Sequence, residues 1–184
     1  MRNIVLFTGG ARSGKSRCAE RYAARLSERI VYIATATPDD DEMRERITNH
    51  RARRPATWHT IEAPTAVANA LNNLTAGTVV LLDCLSLLVS NLLLANESAP
   101  EPAIHHEITS LLSTASSRNL TLIAVTNEVG MGIVPAYPLG RRYRDLLGWV
   151  NQQVAAVARE VYLVTCGIAV ELRTLEAAWN RTVQ

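Results

Sequence analysis

Residues 3–26 read NIVLFTGGARSGKSRCAERYAARL, and this stretch decides the fold. The apolar, β-branched segment at residues 3–8 predicts a strand that is buried on both faces. Residues 9–16, GGARSGKS, match the pattern G-x-x-x-x-G-K-[ST] at every fixed position, and a helix is predicted from Lys15 to Leu26. A strand, a glycine-rich turn and a helix in this order are typical of a phosphate-binding loop (P-loop), whose backbone N–H groups and helix N-terminus surround phosphate oxygens.

Within this motif, four residues have separate predicted roles. Gly9 and Gly14 permit the backbone angles that turn N–H groups toward phosphate. Lys15 is the single lysine beside eighteen arginines, which indicates that this position requires a compact ammonium to reach the β- and γ-phosphates. Ser16 is predicted to ligate Mg²⁺.

A second Mg²⁺ ligand is predicted at the end of another strand. The segment TVVLLD (78–83) ends on Asp83, and an acid at a neighbouring strand end is the usual partner of the P-loop hydroxyl. The alternative role for Asp83 is that of N-cap for the following helix.

Strands and helices continue to alternate along the chain. Apolar segments predict further strands at 30–35, 58–63, 78–83, 120–126, 160–165 and 168–172. Helices are predicted at 40–52, 65–74, 84–95, 102–116, and from the end of a glycine- and proline-rich loop (129–140) to about residue 158.

Such alternation is typical of a parallel sheet that helices cover on both faces. The last two strands are too close for a helical crossover, so we expect a hairpin and one antiparallel edge strand. The predicted fold is α/β, a RecA-like P-loop NTPase with a mostly parallel sheet flanked by helices. Residues 1–172 are expected to form a single nucleotide-binding domain, and residues 173–184 a C-terminal tail.

Composition narrows the function classes. A net charge of +2 and nine aromatic residues in 184 argue against a nucleic-acid partner. The longest apolar run, CLSLLVSNLLLA (84–95), is too short to span a bilayer, and the N-terminal apolar run is too short for a signal peptide. Cys18, Cys84 and Cys166 are widely spaced and odd in number, so we expect small core residues in a reduced, cytoplasmic protein.

A second charged segment surrounds His50. Residues 44–54 carry five arginines against one acid, a local charge of +4 with neutral histidine. If residues 40–52 are helical, Met43, Ile47 and His50 share one face, so His50 points toward the protein body.

Three interpretations of this segment stay open on the pattern alone. The first is a solvated basic helix with a packing histidine. The second is a nucleic-acid patch, against which the lack of aromatic residues within the run argues. The third is a phosphate-binding helix, whose arginines hold a triphosphate and whose neutral imidazole attacks phosphorus.

Four segments together resemble a known family. They are TGGARSGKS (8–16), YIATA with DDEMRERITNHRARRPATW (32–58), LLD (81–83), and VTNEVGMGIVP with RRYRDLLGWVNQ (125–152). In these segments, which reach nearly to residue 168, the chain resembles the bifunctional adenosylcobinamide kinase / adenosylcobinamide-phosphate guanylyltransferases of cobalamin biosynthesis.

The resemblance implies an enzyme with two transferase activities. The kinase phosphorylates the hydroxyl of the aminopropanol arm of adenosylcobinamide with ATP or GTP. The guanylyltransferase then moves GMP from GTP onto that phosphate through a guanylylated histidine, which is His50 in this sequence. The family's partners are a corrinoid and nucleotides, and its assembly is a homo-oligomer, a trimer.

The resemblance also implies site residues. The catalytic residues are Lys15 and His50. The 126–135 segment begins at the C-terminal end of a predicted strand, where open α/β sheets bind ligands, so we expect it to face the corrinoid; the alternative is a structural turn. Glu62 would suit guanine, because a carboxylate accepts from the N1–H and N2–H₂ groups. The implied nucleotide contacts are Gly9, Gly10, Ala11, Arg12, Ser13, Gly14, Lys15, Ser16, Ala34, Thr35, Ala36, Arg51, Ala52, Arg53, Arg54, Glu62 and Cys84.

Two other functions remain as rivals. One is a single-function small-molecule P-loop kinase in which His50 is structural. The other is a RecA-like nucleic-acid ATPase, which a steep salt dependence of DNA-stimulated ATPase activity would favour.

Overall fold

A computed structural model describes residues 3–38, 41–52 and 54–180. The strands are β1 (Ile4–Thr8), β2 (Ile30–Ala34), β3 (His59–Glu62), β4 (Val79–Asp83), β5 (Thr121–Val125), β6 (Glu160–Thr165) and β7 (Ile168–Glu171). The helices are α1 (Lys15–Leu26), α2 (Asp41–Ala52), α3 (Val67–Asn72), α4 (Leu85–Ala95), α5 (Pro100–Ser117) and α6 (Pro138–Val157). Two 3₁₀ turns follow, Arg173–Leu175 and Ala178–Asn180.

The strands form one sheet in the order β3-β2-β4-β5-β1-β6-β7. Neighbouring strands run parallel except for β6 and β7, which are antiparallel. The prediction of a mostly parallel sheet with one antiparallel edge strand is therefore confirmed. Because β1 lies inside the sheet, its carboxyl end presents the P-loop between the ends of β5 and β6.

Helices cover the two faces of the sheet unequally. On one face α1 packs on β1, β4 and β5 through buried Ala19 and Ala23. The other face carries α3, α4, α5 and α6 in one apolar cluster. Alternate residues of β1 enter both clusters, as the continuous apolar pattern predicted. Ala19 and Ala23 are completely buried there, so α1 packs on the sheet through small side chains.

Two helices begin earlier than the sequence predicted. Both α5 and α6 have a proline in their first turn, Pro100 and Pro138. Proline is accepted at a helix start, because its fixed φ is helical and its missing N–H needs no partner there. The 129–140 segment was expected to be a loop because of its glycines and prolines, and its last three residues instead start α6.

The prediction that every cysteine lies in the core is wrong for one of them. Cys18 and Cys84 are half-buried, whereas Cys166 is exposed at φ 51°. Cys166 occupies the turn between β6 and β7, where the chain reverses at the surface. All three are free thiols.

Among the described helices, none combines the length and apolar character needed to cross a bilayer.

Candidate active site

The P-loop is shaped by close backbone contacts with the β6–β7 turn. A Cβ on Gly9 would lie 2.3 Å from the carbonyl oxygen of Val164, so a side chain does not fit there. Gly14 adopts a left-handed φ of 93° and caps α1, and the N–H of Gly167 donates to the Ser13 carbonyl oxygen at 2.8 Å. Glycine is thus required at both predicted turning points, for sterics at the first and for dihedral angle at the second.

Lys15 begins α1 and is buried to 7 % exposure. Its Nζ donates to the Gly10 carbonyl oxygen at 3.1 Å. The ammonium therefore lies over the concave side of the loop, where a nucleotide's phosphates would be held by the loop's N–H groups.

Asp83 connects the P-loop to the second charged segment. Ser16 Oγ lies 3.4 Å from Asp83 Oδ1, and His50 Nδ1 lies 3.7 Å from Asp83 Oδ2. A hydroxyl facing a carboxylate fits Mg²⁺, which takes oxygen ligands from one or two side chains and completes its shell with phosphate and water. The contact between His50 and Asp83 is too long for a hydrogen bond, and it is an ion pair only when the imidazole is protonated.

The helical face predicted for His50 is confirmed. Met43, Ile47 and His50 line one cavity, together with Ala34 and Ala36 from the end of β2. Tyr32, Arg54, Asp83, Cys84 and Leu87 complete the lining. His50 thus faces the protein body, with 23 % of its side chain exposed.

Tyr32 holds the Asp83 carboxylate from the sheet. Its hydroxyl donates to Asp83 Oδ2 at 3.0 Å. Burial, and next the charge of Asp83, raise the pKa of Tyr32 well above its usual range, so the hydroxyl keeps its proton and stays a donor. We did not predict this role from the sequence. The available signal was a polar-tipped aromatic two residues before the end of an otherwise apolar strand.

The arginines expected at the nucleotide differ in their surroundings. Arg51 is exposed at the end of α2, and Arg12 is exposed in the P-loop. The Arg54 guanidinium stacks 3.8 Å from the centre of the Tyr32 ring, and its Nε donates to the His50 carbonyl oxygen at 3.2 Å. Arg53 lies outside the described residues.

Thr35 and Cys84 are hydrogen-bonded to each other. Thr35 Oγ1 donates to the Cys84 carbonyl oxygen and accepts from the Cys84 N–H, both at 2.8 Å. Burial raises the pKa of the Cys84 thiol, so it stays protonated beside Ser86 Oγ at 2.9 Å. These contacts join the chain just beyond β2 to the chain just beyond β4, next to Ala36 and Asp83.

A family model described as "Cobinamide kinase / cobinamide phosphate guanyltransferase" matches residues 5–172, which include the P-loop, His50 and Asp83. The chain belongs to this family. It is therefore a transferase of the family that unites a cobinamide kinase with a cobinamide phosphate guanyltransferase, as the resemblance predicted.

Curated relatives of the cobinamide kinase / guanyltransferase family match over nearly their whole length. The chain is 43 % identical to the bifunctional adenosylcobalamin biosynthesis protein CobU of Escherichia coli (strain K12), over 92 % of this chain and 99 % of the relative. It is 44 % identical to CobP of Pseudomonas aeruginosa, over 94 % and 98 %.

Two solved structures share the fold of this family member at low identity. A prototypical ATPase from the type III secretion system of pathogenic bacteria matches with TM-score 0.59 and 10 % identity, over 95 % of this chain and 58 % of that one. The RadB recombinase matches with TM-score 0.50 and 13 % identity, over 87 % and 73 %. At these identities the similarity shows the fold alone, and it agrees with the predicted RecA-like P-loop architecture.

The remaining residues predicted for the site lie outside the lining of the His50 cavity. Glu62 is exposed at the end of β3, paired in register with Ala34 of β2. Glu128 N–H donates to the Gly9 carbonyl oxygen at 3.0 Å, which ties the start of the 126–135 segment to the P-loop. Beyond it, exposed apolar side chains follow one another: Met131, Ile133, Val134, Tyr137 and Leu139. Apolar surface of this kind usually marks a binding site.

Proposed function

We propose that this chain phosphorylates adenosylcobinamide and then transfers GMP to the product through a guanylyl-His50 intermediate, giving adenosylcobinamide-GDP. The observation that carries the proposal is the shared Asp83 carboxylate, with Ser16 3.4 Å from one oxygen and His50 3.7 Å from the other. A nucleotide on the P-loop would therefore have its phosphates near a histidine that lies on the other side of the same carboxylate.

In the kinase step, the P-loop residues Gly9, Gly10, Ala11, Arg12, Ser13, Gly14, Lys15 and Ser16 hold the triphosphate. Ser16 and Asp83 would hold Mg²⁺, which neutralises developing phosphate charge when bound. The aminopropanol hydroxyl oxygen forms a bond to the γ-phosphorus while the bond from that phosphorus to the β–γ bridging oxygen breaks. ADP or GDP leaves, and the hydroxyl proton passes to solvent.

In the guanylyl step, His50 attacks the α-phosphorus of GTP with Nε2, because Nδ1 faces Asp83. An N–P bond forms, the bond from the α-phosphorus to the α–β bridging oxygen breaks, and pyrophosphate leaves. The phosphate of adenosylcobinamide phosphate then attacks the same phosphorus, and the imidazole departs with its electron pair. Two displacements replace one between two anionic phosphates.

Further nucleotide contacts are proposed from the lining of the site. Ala34, Ala36 and Cys84 line the cavity, and Thr35 is hydrogen-bonded to the backbone of Cys84. Arg51, Ala52 and Arg53 follow His50 directly, and Glu62 is proposed to accept from guanine at the edge of the sheet. The resemblance implies Arg54 in the same set, but its contacts with His50, Thr60 and Tyr32 give it a different proposed role.

The proposed partners are a corrinoid and nucleotides, in a cytoplasmic homo-oligomer with the trimeric assembly that the family resemblance implies. The exposed apolar residues after β5 suit a corrinoid-facing segment. Residues 1–172 are proposed as one nucleotide-binding domain and residues 173–184 as a tail, since the sheet ends at Glu171.

No nucleic-acid partner is proposed, and this is testable. With a net charge of +2, the purified protein is expected to show no binding to single- or double-stranded DNA at about 0.15 M salt, where non-specific contacts are already weak. Fluorescence anisotropy with labelled oligonucleotides measures this. Submicromolar DNA binding under those conditions would restore the nucleic-acid ATPase interpretation.

The proposed intermediate predicts covalent labelling of the protein without any corrinoid. Incubation with GTP labelled at the α-phosphorus should mark the chain and release pyrophosphate. The link should break in acid and survive base, as a phosphoramidate does and a phosphoserine does not. A protein that phosphorylates cobinamide well but never takes the label would be a single-function kinase.

A further inference from the structure

The ring and the backbone carbonyl of His50 are each linked to Tyr32 through one other residue. The His50 ring faces Asp83, and Asp83 Oδ2 accepts a hydrogen bond from the Tyr32 hydroxyl at 3.0 Å. The His50 carbonyl oxygen accepts from Arg54 Nε at 3.2 Å, and the Arg54 guanidinium lies on the Tyr32 ring at 3.8 Å. A single side chain of β2 thus contacts the supports of the imidazole and of its backbone.

The hydrogen bonds described for the Arg54 guanidinium are made with protein groups. Besides the His50 carbonyl, it reaches the sheet a second time, because Nη1 donates to Thr60 Oγ1 at 3.1 Å. Thr60 of β3 is the register partner of Tyr32 in β2, so both anchors lie side by side on neighbouring strands. The guanidinium therefore connects the end of α2 to two strands of the sheet.

This connection depends on the shape of arginine. A planar guanidinium can stack on an aromatic ring while its edge donates two hydrogen bonds in its own plane. Lysine would keep the positive charge but lose the stack and the fixed fork. Charge and geometry can thus be separated by one substitution.

We propose that Arg54, seated on the Tyr32 ring, is a positioning residue that sets the reach of His50 toward the α-phosphorus of GTP. This inference deepens the proposed guanylyl-His50 function and rests on it. The carbonyl contact fixes the last turn of α2, and an attacking atom misplaced by about 1 Å can lose on the order of a hundredfold in rate. The kinase step uses the P-loop and needs no such contact.

The test compares two rates in the same preparation. One is GMP incorporation from α-labelled GTP without corrinoid, and the other is cobinamide phosphorylation by ATP. Arg54→Lys is expected to lower the maximal rate of GMP incorporation about 10–100-fold, while the GTP concentration at half-maximal rate and the kinase rate change by less than about threefold. Because the kinase rate reports a folded P-loop domain, a folding defect is recognised directly.

Substitutions at Tyr32 separate the stack from the hydroxyl. Tyr32→Leu removes the platform and should lower the ratio of guanylylation to kinase rate as Arg54→Lys does. Tyr32→Phe keeps the platform and removes only the donor to Asp83, which both reactions share, so this ratio should stay near that of the wild type. The ratio of guanylylation to kinase rate in the double variant Tyr32→Leu/Arg54→Lys should be no lower than in the worse single variant, because each substitution already removes the stacking contact.

Two matched controls have the same chemistry elsewhere. Arg44→Lys alters another arginine of α2, which pairs locally with Asp41, and Tyr22→Phe removes a tyrosine hydroxyl that donates to Glu160 at 2.9 Å. Neither should change the ratio.

Three results would overturn the inference. In the first, Arg54→Lys retains wild-type GMP incorporation. In the second, only its half-saturating GTP concentration rises, which would make Arg54 a phosphate ligand. In the third, Tyr32→Phe lowers the ratio as far as Tyr32→Leu, which would assign the effect to the hydroxyl. If the wild type takes no label, the proposed function fails and this inference fails with it.

Discussion

Lys15→Ala is expected to abolish most of both activities, lowering the kinase rate and GMP incorporation by about a hundredfold or more. The lost ammonium is the chain's single lysine, and it lies against the Gly10 carbonyl over the P-loop. Its charge would stabilise the phosphate oxygens of the transition state. A hundredfold loss corresponds to about 2.7 kcal/mol of transition-state stabilisation.

The comparison variants separate charge, shape and fold. Lys15→Arg keeps the charge but brings a planar fork into a loop that fits a compact ammonium, so it should also be strongly impaired. Arg25→Ala removes an exposed cation from the last turn of the same helix and should leave both rates unchanged. Both rates are measured at saturating nucleotide with cobinamide present or absent. Near wild-type turnover of Lys15→Ala in either reaction would contradict the P-loop assignment.

His50→Asn is expected to abolish covalent labelling and guanylyl transfer while the kinase rate stays within about tenfold of the wild type. Asparagine keeps much of the size and polarity of histidine, but its amide nitrogen does not attack phosphorus. Direct transfer from the P-loop does not pass through this side chain. The measurements are label retained on the denatured protein and phosphorylated cobinamide formed from ATP.

His59→Asn is the matched control, since His59 is exposed at the start of β3. This variant should take the label like the wild type. If His50→Asn still takes label from GTP, another residue is the nucleophile. If His50→Asn loses both reactions together with its thermal unfolding transition, the effect is one of folding, and the smaller His50→Gln change is tested next.

The secondary structure could be predicted because the local signals agree with the fold. Continuous apolar strands, the P-loop and the closely spaced last two strands led to nearly the observed elements and to the antiparallel edge. The strand order could not be predicted from them, because it depends on which helices pack on which face. The sequence did not predict that α5 begins at Pro100 and α6 at Pro138. Proline indicates the end of a helix or strand, but it is also accepted in the first turn of a helix.

The candidate site could be predicted wherever one side chain carries a recognisable chemistry. Lys15, Ser16, Asp83 and His50 come together as expected, and their catalytic roles remain predictions. The network of Tyr32 and Arg54 could not be found, since it depends on a stacking distance between residues 22 positions apart. By charge alone, Arg54 resembles the exposed Arg51. The Tyr32 ring on which Arg54 stacks is buried, and this contact gives Arg54 a different proposed role.

The contact of the β6–β7 turn with the P-loop has a consequence for biosynthesis. The Ser13 carbonyl is held by the Gly167 N–H, and β1 is bordered by β5 and β6. The phosphate motif precedes β5, β6 and the β6–β7 turn in the chain, so it is synthesised before the segments that become its neighbours. Until residue 167 has been synthesised, a nascent chain carries the motif without the Ser13–Gly167 hydrogen bond. The final shape of the P-loop therefore forms only after the β6–β7 hairpin has been synthesised and has folded against it.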